Sequence, residues 1–158
     1  MKTLILYASK YGGTKEIARR IAGKLENAVV FDLKGENPPS LSDFDCVIIG
    51  SSVYAGSIRK EARAYMSQYA LALGEKTLGL FLSGFAENKS CFEQNFPPDI
   101  LRAAKATAFL GGVFDPEKAG MLERFIVRIV VKQTQYADRI DDEKINGFVE
   151  AIRSCLKT

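Results

Sequence analysis

A chain of 158 residues with 47% hydrophobic and 26% charged side chains is long enough to bury a core of its own, and it reads as one folded domain. It has no histidine, which excludes imidazole triads, histidine bases and most zinc or iron sites, and its net charge of +3 is too small to imply nucleic-acid binding. Cys46, Cys91 and Cys155 form no CxxC pair; with no signal-peptide pattern and no apolar run near ~18 residues, a cytoplasmic, reducing setting is expected.

Thr3–Ala8 (TLILYA) is a continuous apolar run suited to a strand buried on both faces. After the turn-rich Ser9–Gly13, the residues Ile17, Ala18, Ile21, Ala22 and Leu25 recur at helical spacing opposite a charged face, predicting a helix over Thr14–Leu25. Val29–Leu33 and Asp45–Gly50 predict the next two strands, and a helix is expected within Ile58–Leu73. Thr77–Leu82 predicts a fourth strand, Pro97–Ala104 the start of a helix, Thr107–Phe114 a fifth strand, and Asp142–Leu156 a closing helix. Strands separated by helices in this way predict an α/β fold with a doubly wound parallel sheet. No repeat or linker divides the chain, so residues 1–158 form a single expected domain. An additional segment, Glu117–Gln135, interrupts the alternation; its core MLERFIVRIVVK is apolar and carries Arg124, Arg128 and Lys132 at four-residue spacing.

Ligands of open parallel sheets bind beyond the carboxyl ends of the strands, where the first strand's loop usually lies. Here that loop is Ser9, Lys10, Tyr11, Gly12, Gly13 and Thr14. Inward backbone N–H groups, the positive end of the following helix and two hydroxyls suit a phosphate dianion. The order Gly13-Thr14-Lys15 is not a Walker A loop, and the adjacent glycines do not make GxGxxG, although Asp32 at the end of the second strand suggests a ribose ligand. With Ser9, Gly12 and Thr14 in register and Tyr11 in place of the usual threonine, the loop resembles the flavodoxin family. The resemblance implies a flavodoxin-like five-stranded sheet of order 2-1-3-4-5 with helices on both faces, and flavin mononucleotide (FMN) as cofactor.

The same resemblance implies that two further loops flank the flavin ring: Ser51, Ser52, Val53, Tyr54, Ala55 and Gly56 after the third strand, and Ser83, Gly84, Phe85 and Ala86 after the fourth. Tyr54 would supply a stacking face, and Phe85 is either a second stacking partner or a core residue. Ala55 stands where electron-carrying flavodoxins usually have a glycine, and alanine resists positive φ, so strong stabilisation of one-electron-reduced flavin is not expected. The mildly basic balance argues against an ordinary acidic carrier. MKTLILYASKYGGTKEIA, GSSVYAG and ERFIVRIVVK resemble the menaquinone-dependent protoporphyrinogen dehydrogenase branch, which implies an FMN oxidoreductase with a small-molecule or quinone partner. Peripheral membrane contact through Met121–Lys132 would follow, the arginines meeting anionic groups and Phe125, Ile126, Ile129 and Val130 the apolar phase; packing of that face onto the sheet is the alternative. A flavodoxin-type carrier without turnover of its own is the alternative function, and no catalytic residue and no metal ligand are identified.

Overall fold

In the computed structural model, residues 1–118, 120, 121, 124, 128 and 136–157 are described. The elements are β1 (Thr3–Ala8), α1 (Gly13–Ala22), β2 (Ala28–Asp32), a short 3-10 turn (Leu41–Asp43), β3 (Cys46–Tyr54), β4 (Ser57–Ile58), α2 (Lys60–Gln68) and α3 (Ala70–Gly74). They continue with β5 (Thr77–Ser83), α4 (Cys91–Asn95), α5 (Pro98–Ala103), β6 (Ala104–Phe109), β7 (Val113–Phe114), β8 (Ala137–Asp138) and α6 (Asp142–Leu156).

The main sheet runs β2-β1-β3-β5-β6, all parallel, and the short β4 joins β3 in antiparallel fashion. This is the expected 2-1-3-4-5 order, with β5 and β6 as the fourth and fifth long strands. Because successive side chains of a strand point to opposite faces, two cores form. Leu4, Leu6, Val47, Ile49, Leu78 and Leu80 cluster with Met66, Leu73, Phe96 and Ile100 on one side. Ile5, Tyr7, Ile48 and Phe81 cluster with Ile17 and Ile21 of α1 and Ile145, Phe148, Val149 and Ile152 of α6 on the other. β2 is an edge strand, and Val29 and Val30 remain 37% and 38% exposed.

The expected boundaries need correction in several places. α1 ends at Ala22, because the N–H groups of Lys24 and Leu25 turn back three residues to the carbonyls of Ile21 and Ala22. β3 runs on to Tyr54, since its last residues pair with β4 in a hairpin. The helix expected within Ile58–Leu73 is two helices, divided at Tyr69 by non-helical φ and ψ of −112° and 20°. The fifth strand occupies Ala104–Phe109, not Thr107–Phe114: Gly111 at φ 81° breaks it. A side chain at Gly111 would meet the Arg139 carbonyl oxygen at 1.8 Å, so this crossing requires glycine. Val113 and Phe114 then pair with β8 in a separate two-stranded ribbon. α6 matches its expected span, and Asp141 caps it by accepting a hydrogen bond from Lys144 N at 3.0 Å. Most of the expected segment Glu117–Gln135, including Phe125, Ile126, Ile129, Val130 and Lys132, lies outside the described residues; Met121, Arg124 and Arg128 are helical and exposed.

Candidate functional site: a cavity beyond the carboxyl ends of β1, β3 and β5

Three loops converge at the carboxyl edge of the sheet because β1, β3 and β5 are adjacent and parallel. They enclose a cavity of about 330 Å³, within the size range of small-molecule sites. Ser9, Lys10, Tyr11, Gly13 and Thr14 line it from the first loop, Ser52 to Gly56 from the second, and Ser83 to Ala86 from the third. Gly12 and Ser51, also expected at the site, do not line it. Gly12 instead shapes the first loop: at φ 93° it precedes α1 and donates its N–H to Ser9 Oγ at 2.8 Å. Ser51 supports the second loop from below, its hydroxyl accepting the Arg59 N–H at 2.9 Å and donating to the Ser52 carbonyl at 3.0 Å.

The first loop ends on the N-terminus of a ten-residue helix. The first intrahelical bond comes from Glu16 N to Gly12 O, so the N–H groups of Gly13, Thr14 and Lys15 have no carbonyl of α1 to bond and carry the helix's positive end. Thr14 Oγ1 and Ser83 Oγ are 2.8 Å apart and buried. One of the two must donate, which leaves the other's proton for an acceptor in the cavity. Ser52 Oγ is buried without a partner, a further donor on the cavity wall. No carboxylate lines the cavity among the described residues, and Lys10 is the charged side chain there. Helix end, hydroxyls and cation together favour an anionic group.

Part of the wall is aromatic. Lys10 Nζ stands 3.3 Å from the centroid of the Tyr54 ring, a cation–π contact that ties the first loop to the second. Phe85 proves to be a wall residue: it is half-buried, meets Phe114 edge to face at 6.3 Å, and carries the Arg139 guanidinium over its ring at 5.4 Å.

The second loop is a two-residue hairpin turn. Tyr54 pairs with Ser57, and between them Ala55 and Gly56 have φ of 49° and 77°. Both values are positive, as a type I′ turn requires and as the right-handed twist of a hairpin favours. The sequence-based expectation that alanine would avoid positive φ is therefore corrected at Ala55; the hairpin imposes the conformation despite the Cβ strain.

Asn88, Cys91, Gly112, Val113 and Phe114 also line the cavity but were not expected there. Val113 presses so close that a Cβ on Gly13 would lie 2.9 Å from its N, and Gly84 N bonds the Gly111 carbonyl at 2.9 Å. The Gly111-Gly112 dipeptide was the available signal, since such pairs mark turns rather than strand interiors. Asp32, which suggested a ribose ligand, lies away from the cavity: it accepts the Lys34 N–H at 2.9 Å, and burial first and this carboxylate second raise the pKa of the Tyr7 phenol.

The family described as Flavodoxin domain matches residues 4–141. The protoporphyrinogen IX dehydrogenase [quinone] of Escherichia coli K12 is 21% identical over 146 residues, covering 85% of this chain and 81% of that protein. Among solved structures, a flavodoxin of Streptococcus pneumoniae superposes with a TM-score of 0.57 at 20% identity, covering 98% of this chain and 99% of its own. A Lactobacillus acidophilus flavoprotein solved in complex with FMN gives a TM-score of 0.56 at 16% identity, covering 68% of this chain and 92% of its own.

Proposed function

We propose that this chain, which belongs to the flavodoxin domain family, binds FMN in the cavity between its β1, β3 and β5 loops and uses it as an oxidoreductase. The observation that carries the reading is the polarity of that cavity. A helix N-terminus and paired hydroxyls gather at the first loop, Tyr54, with Lys10 Nζ over its ring, and Phe85 form the aromatic wall, and no carboxylate lies between them among the described residues. A phosphate at one end and a flat aromatic ring at the other satisfy both halves. The expected cofactor residues are assigned on this basis, with Gly12 and Ser51 acting as supports and Asn88, Cys91 and Gly112–Phe114 added to the wall.

When bound, FMN supplies hydride or single-electron transfer at its ring. The chain's residues bind and orient it: the Gly13, Thr14 and Lys15 amides and the Thr14–Ser83 pair hold the phosphate, while Tyr54 and Phe85 confine the ring and exclude water. The likeness to the E. coli dehydrogenase supports a porphyrinogen or quinone as the exchanging partner. Met121, Arg124 and Arg128, exposed on helical backbone, supply the mix of apolar and cationic groups that peripheral contact with an anionic membrane needs; a cytoplasmic location accords with that role. Turnover of a porphyrinogen with a menaquinone analogue by the FMN-loaded protein tests the reading, and absence of turnover with both overturns it. A carrier without turnover is the second reading, favoured by the positive φ of Ala55, which removes the objection drawn from the missing glycine. Two well-separated one-electron potentials in a redox titration would select it.

A further inference from the structure

A second cavity, of about 310 Å³, lies beside the first. Asn88 lines both, so the two meet at this residue. Glu87 and Lys89, its neighbours in the chain, line the second cavity and not the first. Phe92 of α4 and Phe109 at the end of β6 supply its apolar lining: Phe92 stacks on Phe96 at 5.4 Å, and Phe109 is buried. Lys144 of α6 adds a second cation.

These polar groups are unequally committed. Lys144 Nζ donates to Glu87 Oε2 at 2.9 Å, so the one carboxylate among the lining residues is already paired. Lys89 is exposed and forms no ion pair among the described residues. Asn88 is held in one orientation, because its Oδ1 accepts the Ser90 N–H at 3.0 Å and the Ser90 hydroxyl at 2.8 Å. Reversing the amide would set NH2 against N–H at Ser90. Its Nδ2 is therefore the outward donor, and it has no acceptor among the described residues. The cavity thus offers an ammonium and an amide NH2 beside aromatic surface, with two cations against one anion. An inorganic anion would leave Phe92 and Phe109 in contact with water, and a neutral ring would leave Lys89 without a counter-charge. An apolar molecule bearing a carboxylate satisfies both.

We infer that this second cavity is the subsite for the carboxylate arm of the molecule that exchanges electrons with the bound flavin, and that Lys89 and Asn88 select that arm. The inference rests on the FMN oxidoreductase reading: with the ring confined by Tyr54 and Phe85, a reactant that reaches it past Asn88 has its remaining part in the second cavity. Of the two partner classes that reading supports, a porphyrinogen carries carboxylate arms and a quinone does not. Glu87 opposes an incoming carboxylate and Lys144 offsets that repulsion, so the strength of the subsite depends on this pair as well as on Lys89.

The test titrates the FMN-loaded full chain with cinnamate, an aromatic ring with a carboxylate arm, and with cinnamamide, its neutral isostere. Backbone amide shifts and the visible absorption of the flavin are both followed. Cinnamate is expected to shift the amides of Lys89, Thr107 and Phe109, to perturb the flavin band over the same concentration range, and to bind several-fold more tightly than cinnamamide. Lys89→Gln is expected to weaken cinnamate roughly three- to tenfold. Glu87→Gln, which removes the like charge and releases Lys144, is expected to strengthen it by roughly threefold. Neither substitution should alter the affinity for cinnamamide. Equal affinities for acid and amide, indifference to Lys89→Gln, amide shifts confined to other parts of the chain, or an unperturbed flavin band overturns the assignment. Failure of the unsubstituted chain to bind FMN overturns the cofactor reading and the substrate role with it, a distinct result that is read before any cinnamate is added.

Discussion

Replacing Ala55 by glycine should stabilise the protein, although glycine usually destabilises. At φ 49° the alanine Cβ crowds the following carbonyl, at a cost of roughly 1–2 kcal/mol for an L-residue in the left-handed region. Glycine removes that strain but adds freedom to the unfolded chain worth about 0.4–1 kcal/mol. The balance is a gain of about 0.5–1 kcal/mol, or about 1–4 °C in Tm for a domain of this size. Urea and thermal unfolding followed by circular dichroism measure it. Ala55→Pro is the informative companion, because proline fixes φ near −65°: it suits the same position of a type II turn and is incompatible with type I′. It should destabilise by at least about 2 kcal/mol. A destabilised Ala55→Gly together with a tolerated Ala55→Pro would refute the left-handed assignment and remove the basis for a strained turn at the cavity.

Lys10→Gln should lower the midpoint potential of bound FMN, since a cation at the cavity wall favours the more negative reduced form; an unchanged or raised potential in a titration against reference dyes would count against that role. Phe81→Ala should destabilise by about 3–5 kcal/mol, because the ring is fully buried and meets Phe148 edge to face at 6.3 Å; a loss under about 2 kcal/mol in urea unfolding would contradict the packing. Hydrogen bonds from Arg19 and then Arg20 hold the Glu16 carboxyl down to about 2 from its ordinary 4.5. A depressed folded-state value means the stabilisation is complete above about 4.5 and is lost as pH falls toward 2. Glu16→Gln should therefore flatten that part of the acid unfolding curve, and an identical pH dependence in the two proteins would disprove the pairing.

The long elements were readable because each carries its own periodicity. β1 is a single apolar run, and α6 presents Ile145, Phe148, Val149 and Ile152 on one stripe behind an Asp141 cap. The parallel order followed from the family resemblance, which the phosphate loop carried. What escaped the sequence was short or depended on contacts distant along the chain. β4 and α4 have two and five residues, too few to show a period. Leu110 to Phe114 continued an apolar run and looked like strand, yet Gly111 must pass against Arg139, a neighbour 28 positions away. Asn95 carried no readable signal, because three of its four hydrogen-bond partners, Gly56, Ile58 and Arg63, are distant along the chain and only Cys91 is local. Ala55 shows the limit of propensity: the residue type argued against a positive φ, and the register of its hairpin imposes one.

The central claim, that the Ser9–Thr14 loop cradles the phosphate of FMN, is tested most directly by comparing FMN with riboflavin, which has the same ring and no phosphate, in a fluorescence titration of the cofactor-free protein. Two charge-assisted hydrogen bonds to the phosphate, each worth about 1.5–3 kcal/mol, predict quenching by one FMN per chain and riboflavin binding weaker by at least roughly a hundredfold. No quenching by FMN, or riboflavin bound as tightly as FMN, would contradict the account.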